Sequence, residues 1–175
     1  MNTELKYEFE NANSKIIMDI ESGKIEENAN LQQWGTDHFK SQQWILKALG
    51  GNYYYIRSSN DQNYVLKPTN NTNGGNICIV SYKTNDCSML FKFSKKPDGS
   101  YMIMTRAARD ACYIEVVNSS VLSEGNVQQW ASTNNACQNW YANIISNDEI
   151  SANFNTIRID IFKDNDCVHT VVFVK

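Results

Sequence analysis

Two acidic residues, Asp19 and Glu115, each precede two tryptophans, at distances of 15 and 25 positions. The chain has four tryptophans and all belong to this pattern: Trp34, Trp44, Trp130 and Trp140. In both places the first tryptophan ends a Gln-Gln-Trp triplet. A carboxylate accepts charge-assisted hydrogen bonds from hydroxyl groups, an amide donates and accepts, and an indole ring offers a flat apolar face. These groups together suit a pyranose ring, which offers vicinal hydroxyls and a patch of C–H bonds.

The same spacing shows an internal repeat. The two acids are 96 positions apart, which is twice 48, and residues 64–93 fill the place of a middle copy. Short alternating apolar runs, separated by Asn, Gly, Ser and Asp, predict four strands in each copy. One such unit cannot bury its own apolar face, so three copies predict a closed threefold all-β assembly. Copies one, two and three are placed at residues 6–49, 50–98 and 99–145.

The repeated motifs resemble those of the ricin B-type β-trefoil lectins, which also occur as carbohydrate-binding modules of glycosidases. The resemblance rests on the QxW motifs Gln42-Gln43-Trp44 and Gln138-Asn139-Trp140, the upstream LQQW and VQQW, and the acidic strands IIMDI and YIEVV. It implies a β-trefoil lectin domain over residues 1–145. It also implies binding of glycans, with galactose or N-acetylgalactosamine expected first and plant polysaccharides second.

The resemblance assigns binding roles to two of the three copies. In copy one the acid, the stacking platform and the amides are Asp19, Trp34, Gln32 and Gln42, with Ser41 in the place of the family's asparagine. In copy three the corresponding residues are Glu115, Trp130, Gln128 and Gln138. Copy three ranks second because its glutamate is longer than the usual aspartate and Cys137 takes the asparagine place. Trp44 and Trp140 are expected in the core.

Copy two is predicted not to bind. Lys67 stands in the place of the acid, and a lysine cannot accept a hydrogen bond from a hydroxyl. Val80 and Met89 stand in the places of the platform and the QxW glutamine, although Tyr82, 48 positions after Trp34, is an alternative aromatic.

Composition and motifs exclude several other functions. The net charge of -3 argues against binding a phosphate backbone, and no apolar stretch is long enough to span a membrane. The two histidines, His38 and His169, lie far from any nucleophile motif, and the five cysteines form no CxxC pair. Neither an enzyme nor a metal or cofactor site is therefore expected. The odd number of cysteines and the absence of a leader predict a cytoplasmic protein, or a secreted one if the chain is part of a larger protein.

The residues after the repeats, 146–175, differ in pattern. Two alternating runs, TIRIDIF and CVHTVVFVK, flank Asp-Asn-Asp and predict a β-hairpin. An isolated hairpin is marginal in water, so it is expected to dock on the trefoil, pair in a homodimer, or begin a further domain. The alternatives to a free-standing lectin are a trefoil protein-interaction module, such as a protease inhibitor or an actin-bundling protein, and the targeting domain of a larger toxin or glycosidase.

Overall fold

The computed structural model describes residues 5–145, 156–163 and 166–174. Copy one contains β1 (Lys6–Asn11), β2 (Ile17–Ile20), β3 (Leu31–Trp34) and β4 (Trp44–Gly50). Copy two contains β5 (Tyr53–Ser58), β6 (Tyr64–Pro68), β7 (Gly75–Ser81) and β8 (Phe91–Lys95). Copy three contains β9 (Tyr101–Thr105), β10 (Cys112–Val116), β11 (Gly125–Ala131) and β12 (Asn139–Ile145). The prediction of four strands in each copy is confirmed.

Short 3₁₀ helices connect the strands at corresponding places. One turn lies between the third and fourth strands of each copy: Lys40–Gln42, Cys87–Met89 and Ala136–Gln138. Two follow the second strand, at Glu21–Gly23 and Val117–Ser119, and one follows β9, at Arg106–Ala108. These repeated turns give a direct correspondence between residues of different copies.

The first and fourth strands of the three copies close a barrel. Antiparallel pairing runs from β1 to β4, β5, β8, β9 and β12, and β12 returns to β1 through six residue pairs. The second and third strands of each copy form a hairpin, and β11 pairs with both β3 and β7. The predicted β-trefoil is therefore confirmed.

The barrel closes around a core to which each copy contributes equivalent residues. Trp44, Phe91 and Trp140 each lie at or next to the start of a fourth strand and are fully buried. The indole nitrogens of both tryptophans donate to backbone carbonyls, Trp44 to Met18 at 3.3 Å and Trp140 to Ile114 at 3.0 Å. A buried indole N–H needs such a partner. The QxW tryptophans thus fill the core, as predicted.

In the loop between the second and third strands of each copy, one residue with a positive φ angle hydrogen-bonds to another copy. Asn28, Gly74 and Glu124 have φ values of 65°, 78° and 66°. Their amides donate to carbonyls on the third strand of another copy, over 2.8–2.9 Å: Asn28 to Ile79, Gly74 to Gln129 and Glu124 to Gln33. This circular arrangement places each hairpin loop beside the third strand of a different copy.

Two buried glutamines reinforce this arrangement. Nε2 of Gln33 donates to the carbonyls of Ser120 at 3.0 Å and Leu122 at 2.6 Å, which belong to the β10–β11 loop. Gln129 makes the corresponding two bonds to the β6–β7 loop, both at 2.9 Å. A Cβ atom at Gly125 would lie 2.8 Å from Nε2 of Gln33, so this close approach requires glycine.

The C-terminal strands β13 (Thr156–Lys163) and β14 (Asp166–Val174) form a separate antiparallel pair, as predicted. The predicted turn residues 164–165 and the side-chain faces of these strands lie outside the described residues. Docking of this pair, or its pairing in a homodimer, stays a prediction.

Candidate functional site

The copy-one site begins with the register of the β2–β3 hairpin. Asp19 lies directly opposite Gln32, and Nε2 of Gln32 donates to Oδ2 of Asp19 over 3.1 Å. The Ser41 side chain, from the following 3₁₀ turn, lies close enough to Asp19 to favour its charged form. All three side chains are buried, and Asp19 is only 5% exposed. The acid is therefore fixed in one orientation before any ligand arrives.

Burial raises the pKa of Asp19 above its ordinary value. The hydrogen bond from Gln32 and the nearby Ser41 side chain act in the opposite direction, because they favour the charged form. The negative charge of Asp37 adds to the effect of burial. Asp19 is thus a carboxylate of reduced solvation, and hydrogen bonds from a ligand to it meet little competition from water.

Trp34 ends β3 two residues after Gln32. Its partner across the hairpin is Ile17, and its side chain is 38% exposed. The exposed indole face is placed as a stacking surface requires, and the role of Trp34 in stacking on a sugar stays a prediction. Asp19, Gln32, Trp34 and Ser41 all line one surface cleft of about 720 Å³, which we call the copy-one cleft.

Gln42 requires a correction, because it lies behind this cleft. The side chain is fully buried. Its Oε1 accepts from the amide of Asp37 at 3.1 Å, and its Nε2 donates to the carbonyl of Gly35 at 2.8 Å. Its donor and acceptor groups are both bonded to the loop backbone and its side chain has no exposed surface, so it is not placed to contact a ligand. Gln42 instead fixes the loop from Gly35 to Gln42.

Copy three repeats the register with a longer acid. Glu115 lies opposite Gln128 and is 6% exposed. Its Oε1 accepts from Nε2 of Gln128 and its Oε2 from Nε2 of Gln138, both at 2.9 Å. Each oxygen of Glu115 is therefore bonded to an amide. Gln138 is fully buried and also braces the carbonyl of Ala131 and the amide of Thr133, so it too is corrected from ligand contact to support.

Trp130 is the counterpart of Trp34 and is 37% exposed. The β6–β7 loop lies against this ring, since a Cβ atom at Gly74 would lie 3.5 Å from its Cζ3. The corresponding residue beside the copy-one cleft is Glu124. Burial raises the pKa of the Cys137 thiol, which occupies the place of Ser41.

Copy two has lost the arrangement. Nζ of Lys67 bonds to Oδ2 of Asp86 at 2.9 Å. Burial disfavours the charge on Asp86, but Lys67 and hydrogen bonds from Ser88 outweigh it and hold the pKa of Asp86 at about 2. Val80 pairs with Val65 as Trp34 pairs with Ile17, so Val80 occupies the platform position.

Tyr82 lies beyond the end of β7 and does not replace the platform. Its ring contacts Tyr55 edge-on, with centroids 5.1 Å apart, and Arg57 lies 4.6 Å from its centroid.

The residues of the copy-one cleft that the sequence analysis missed include Glu21, Asp37, Phe39, Lys40 and Glu124. Asp37 and Phe39 lie between Trp34 and Trp44. A large aromatic residue, Phe39, in this polar segment was the sequence signal that could have indicated a further site residue. Glu124 comes from copy three, 105 positions after Asp19, and no local pattern could indicate it. The cleft thus joins residues of all three copies, since Asn60 of copy two also lines it.

In the described part of the chain, no three histidine, cysteine, aspartate or glutamate side chains are grouped closely enough to hold a metal ion. No helix in the described ranges is long and apolar enough to cross a membrane.

Comparison with known proteins supports the trefoil fold. Residues 2–80 match the family model described as ricin-type beta-trefoil lectin domain-like. The resemblance to the ricin-type trefoil lectins is confirmed. No curated protein matches the chain significantly. Among solved structures, the trefoil is similar to a designed threefold-symmetric protein, ThreeFoil, with 23% identity over 80% of this chain and 99% of that one, and a TM-score of 0.75.

Two natural structures are also similar to this trefoil. An exo-beta-1,3-galactanase from Clostridium thermocellum is 25% identical over 83% of this chain, with a TM-score of 0.76. The match spans 31% of the galactanase. A ricin B-like lectin from Macrolepiota procera, solved in complex with lactose, is 14% identical over 82% of this chain and 97% of its own, with a TM-score of 0.67.

Proposed function

We propose that this protein is a non-catalytic lectin that binds glycans with terminal galactose or N-acetylgalactosamine, mainly through the copy-one cleft. One observation carries the proposal: a buried, hydrogen-bonded Asp19 lies in the same cleft as the exposed ring of Trp34. The carboxylate accepts hydrogen bonds from two hydroxyls, and the ring stacks on the C–H face of the sugar. The lactose complex of the Macrolepiota procera lectin supports galactose as the first choice.

Copy three provides a second, weaker site in this proposal. Trp130 is as exposed as Trp34, but both oxygens of Glu115 already accept amide hydrogen bonds. A carboxylate oxygen has a further lone pair, so Glu115 can still accept from a ligand, with less freedom in direction. Two sites on one chain would crosslink glycans, and weak individual sites would gain from multivalency.

A glycan array with matched variants tests the proposal. Asp19→Ala and Trp34→Ala are expected to remove most binding, whereas Lys67→Ala, at the position of the acid in copy two, is expected to retain it. Unchanged binding in the first two variants would refute the role of copy one. No glycan binding by the wild type, together with recovery of a protease in a pull-down, would favour the inhibitor alternative.

The second candidate function is delivery of a catalytic or toxic partner to glycans. The similar region is only 31% of the galactanase, in which it is one part of a larger protein. Fusion to a hydrolase tests this role: the fusion should be retained on galactose-coated beads, and the Trp34→Ala fusion should pass through.

A further inference from the structure

Phe39 is an exposed aromatic residue. It has no role in the proposed binding of one sugar by Asp19 and Trp34. Its side chain is 68% exposed, and it lines the copy-one cleft together with Trp34. Burial of a phenylalanine is favourable, so keeping this ring in water has a cost. Such a residue in a cleft is a candidate contact for an apolar ligand face.

The loop that carries Phe39 is fixed by hydrogen bonds. The amide of Phe39 donates to Oδ1 of Asp37 at 2.9 Å, and its carbonyl accepts from the amide of Gln42 at 2.9 Å. The buried side-chain amide of Gln42 holds Gly35 and Asp37, and Nε2 of Gln43 donates to the carbonyl of His38 at 2.9 Å. The backbone that carries the ring is therefore held in place, so a ligand does not have to order the loop when it binds.

Copy three differs at this point. Asp37 and Thr133 correspond, because each donates its amide to the buried glutamine of its own 3₁₀ turn. Two residues further on, Asn135 stands in the place of Phe39 and precedes the Ala136–Gln138 turn. The exposed ring is thus specific to copy one, although Trp34 and Trp130 are shared.

We propose that Phe39 is a second stacking surface and that the copy-one cleft binds at least two linked sugar units. The terminal sugar lies at Asp19 and Trp34, and the next sugar stacks on Phe39. A cleft of about 720 Å³ is within the range of sites that enclose ligands larger than one sugar ring. Copy three has Asn135 at this position and contacts the terminal sugar alone. This inference rests on the proposed lectin function and adds the length of its ligand.

Calorimetry with two ligands that share a terminal galactose, methyl β-galactoside and lactose, tests the proposal. Trp130→Ala removes the copy-three platform so that copy one is measured alone. In that background, lactose is expected to bind more tightly than methyl β-galactoside. Phe39→Asn, which installs the copy-three residue, is expected to lower the ratio of the two affinities about fivefold, whereas Phe39→Tyr should retain it.

The reciprocal variant is a gain-of-function control. In a Trp34→Ala background, Asn135→Phe is expected to raise the preference of copy three for lactose. An affinity ratio that Phe39→Asn leaves unchanged would overturn the second stacking surface while the lectin function stands. Failure of the wild type to bind either ligand would overturn the lectin function itself, and the inference with it.

Discussion

Asp19 and Gln32 face each other across the β2–β3 hairpin and are joined by a 3.1 Å hydrogen bond. Glu115 and Gln128 repeat this relationship in copy three, at 2.9 Å. The first glutamine of each Gln-Gln-Trp triplet thus holds the acid, the second holds a neighbouring copy, and the tryptophan faces solvent. One short strand therefore links the geometry of the site to the assembly of the fold.

Asp19→Asn is expected to weaken ligand binding and to stabilise the folded protein at pH 7. Loss of the charge-assisted hydrogen bonds should weaken lactose binding at copy one by at least tenfold, since such bonds contribute about 1.5–3 kcal/mol. The folded protein should be more stable at pH 7, because burial raises the pKa of Asp19 and ionisation therefore opposes folding above the ordinary carboxyl range. This gain should shrink as the pH falls through that range.

Thermal unfolding at pH 7 and pH 3, with lactose calorimetry at pH 7, measures both effects. Glu115→Gln is the matched variant in copy three. A variant that loses stability at pH 7 and gains it at pH 3 would contradict the expected sign.

The affinity of copy one should depend on pH in the acid range. Protonation removes the acceptor that the sugar needs, and the pKa of Asp19 is raised by burial. Lactose affinity in a Trp130→Ala background should therefore begin to fall at a higher pH than an ordinary aspartate would give. Calorimetry from pH 3 to pH 7 checks this, with circular dichroism to show that the fold persists. A constant affinity throughout would exclude Asp19 as the charged acceptor.

Gln33→Leu should destabilise the whole trefoil. Gln33 is fully buried, its Nε2 donates to two carbonyls of the β10–β11 loop, and its Oε1 accepts from the Ser14 hydroxyl at 2.7 Å. Leucine would remove these three part-buried hydrogen bonds, at a cost of about 2–3 kcal/mol in the free energy of unfolding. Urea unfolding measures the loss.

The adjacent variant Gln43→Leu removes a single, more exposed hydrogen bond and should cost less than about 1 kcal/mol. Because Glu124 of the same loop lines the copy-one cleft, Gln33→Leu should also weaken lactose binding. Equal stability of the two variants would show that the hydrogen bonds of Gln33 to the β10–β11 loop contribute little.

His38 should titrate above its usual pH range. Its Nδ1 lies 2.9 Å from Oε1 of Glu8, and this hydrogen bond, followed by the charge of Glu8, raises the pKa of His38. Because the folded-state pKa is raised, the stabilisation is complete below about pH 6.5 and is lost as the pH rises through the raised value. The stability difference between wild type and Glu8→Gln should therefore be larger at pH 5.5 than at pH 9.

Nuclear magnetic resonance titration of the imidazole provides the direct measurement. Glu8→Gln should lower the pKa of His38. The same pKa for His38 in both proteins would show that the ion pair does not form in solution.

The repeated spacing was sufficient to predict the strands, the core role of Trp44 and the exposed position of Trp34. Both tryptophans follow glutamines, but one lies at the end of a third strand and the other at the start of a fourth, and the repeat separates these environments. Spacing could not show which glutamines line the cleft, since Gln32 and Gln42 have the same chemistry and differ in what surrounds them. The sequence pattern could not identify Glu124 as a cleft residue, because closure of the barrel brings it there from copy three.

The walls of the copy-one cleft are expected to select against anionic sugars. Four carboxylates line it and one ammonium group opposes them: Asp19, Glu21, Asp37 and Glu124, with Lys40. Like charges in a partly desolvated cleft repel, so galacturonic acid should bind at least fivefold more weakly than galactose, and added salt should reduce the difference. Glu124→Gln should recover part of the lost affinity.

Copy three is the control for the effect of the cleft carboxylates, because it has uncharged residues in the places of three of them. Val117, Thr133 and Gly74 stand there in the places of Glu21, Asp37 and Glu124, as the matching 3₁₀ turns and amide bonds show. Calorimetry at low and high salt, with Trp130→Ala to isolate copy one and Trp34→Ala to isolate copy three, should give the stronger discrimination in copy one. Galacturonic acid and galactose binding equally well to copy one at low salt would show that the cleft carboxylates lie too far from the sugar to repel its charge.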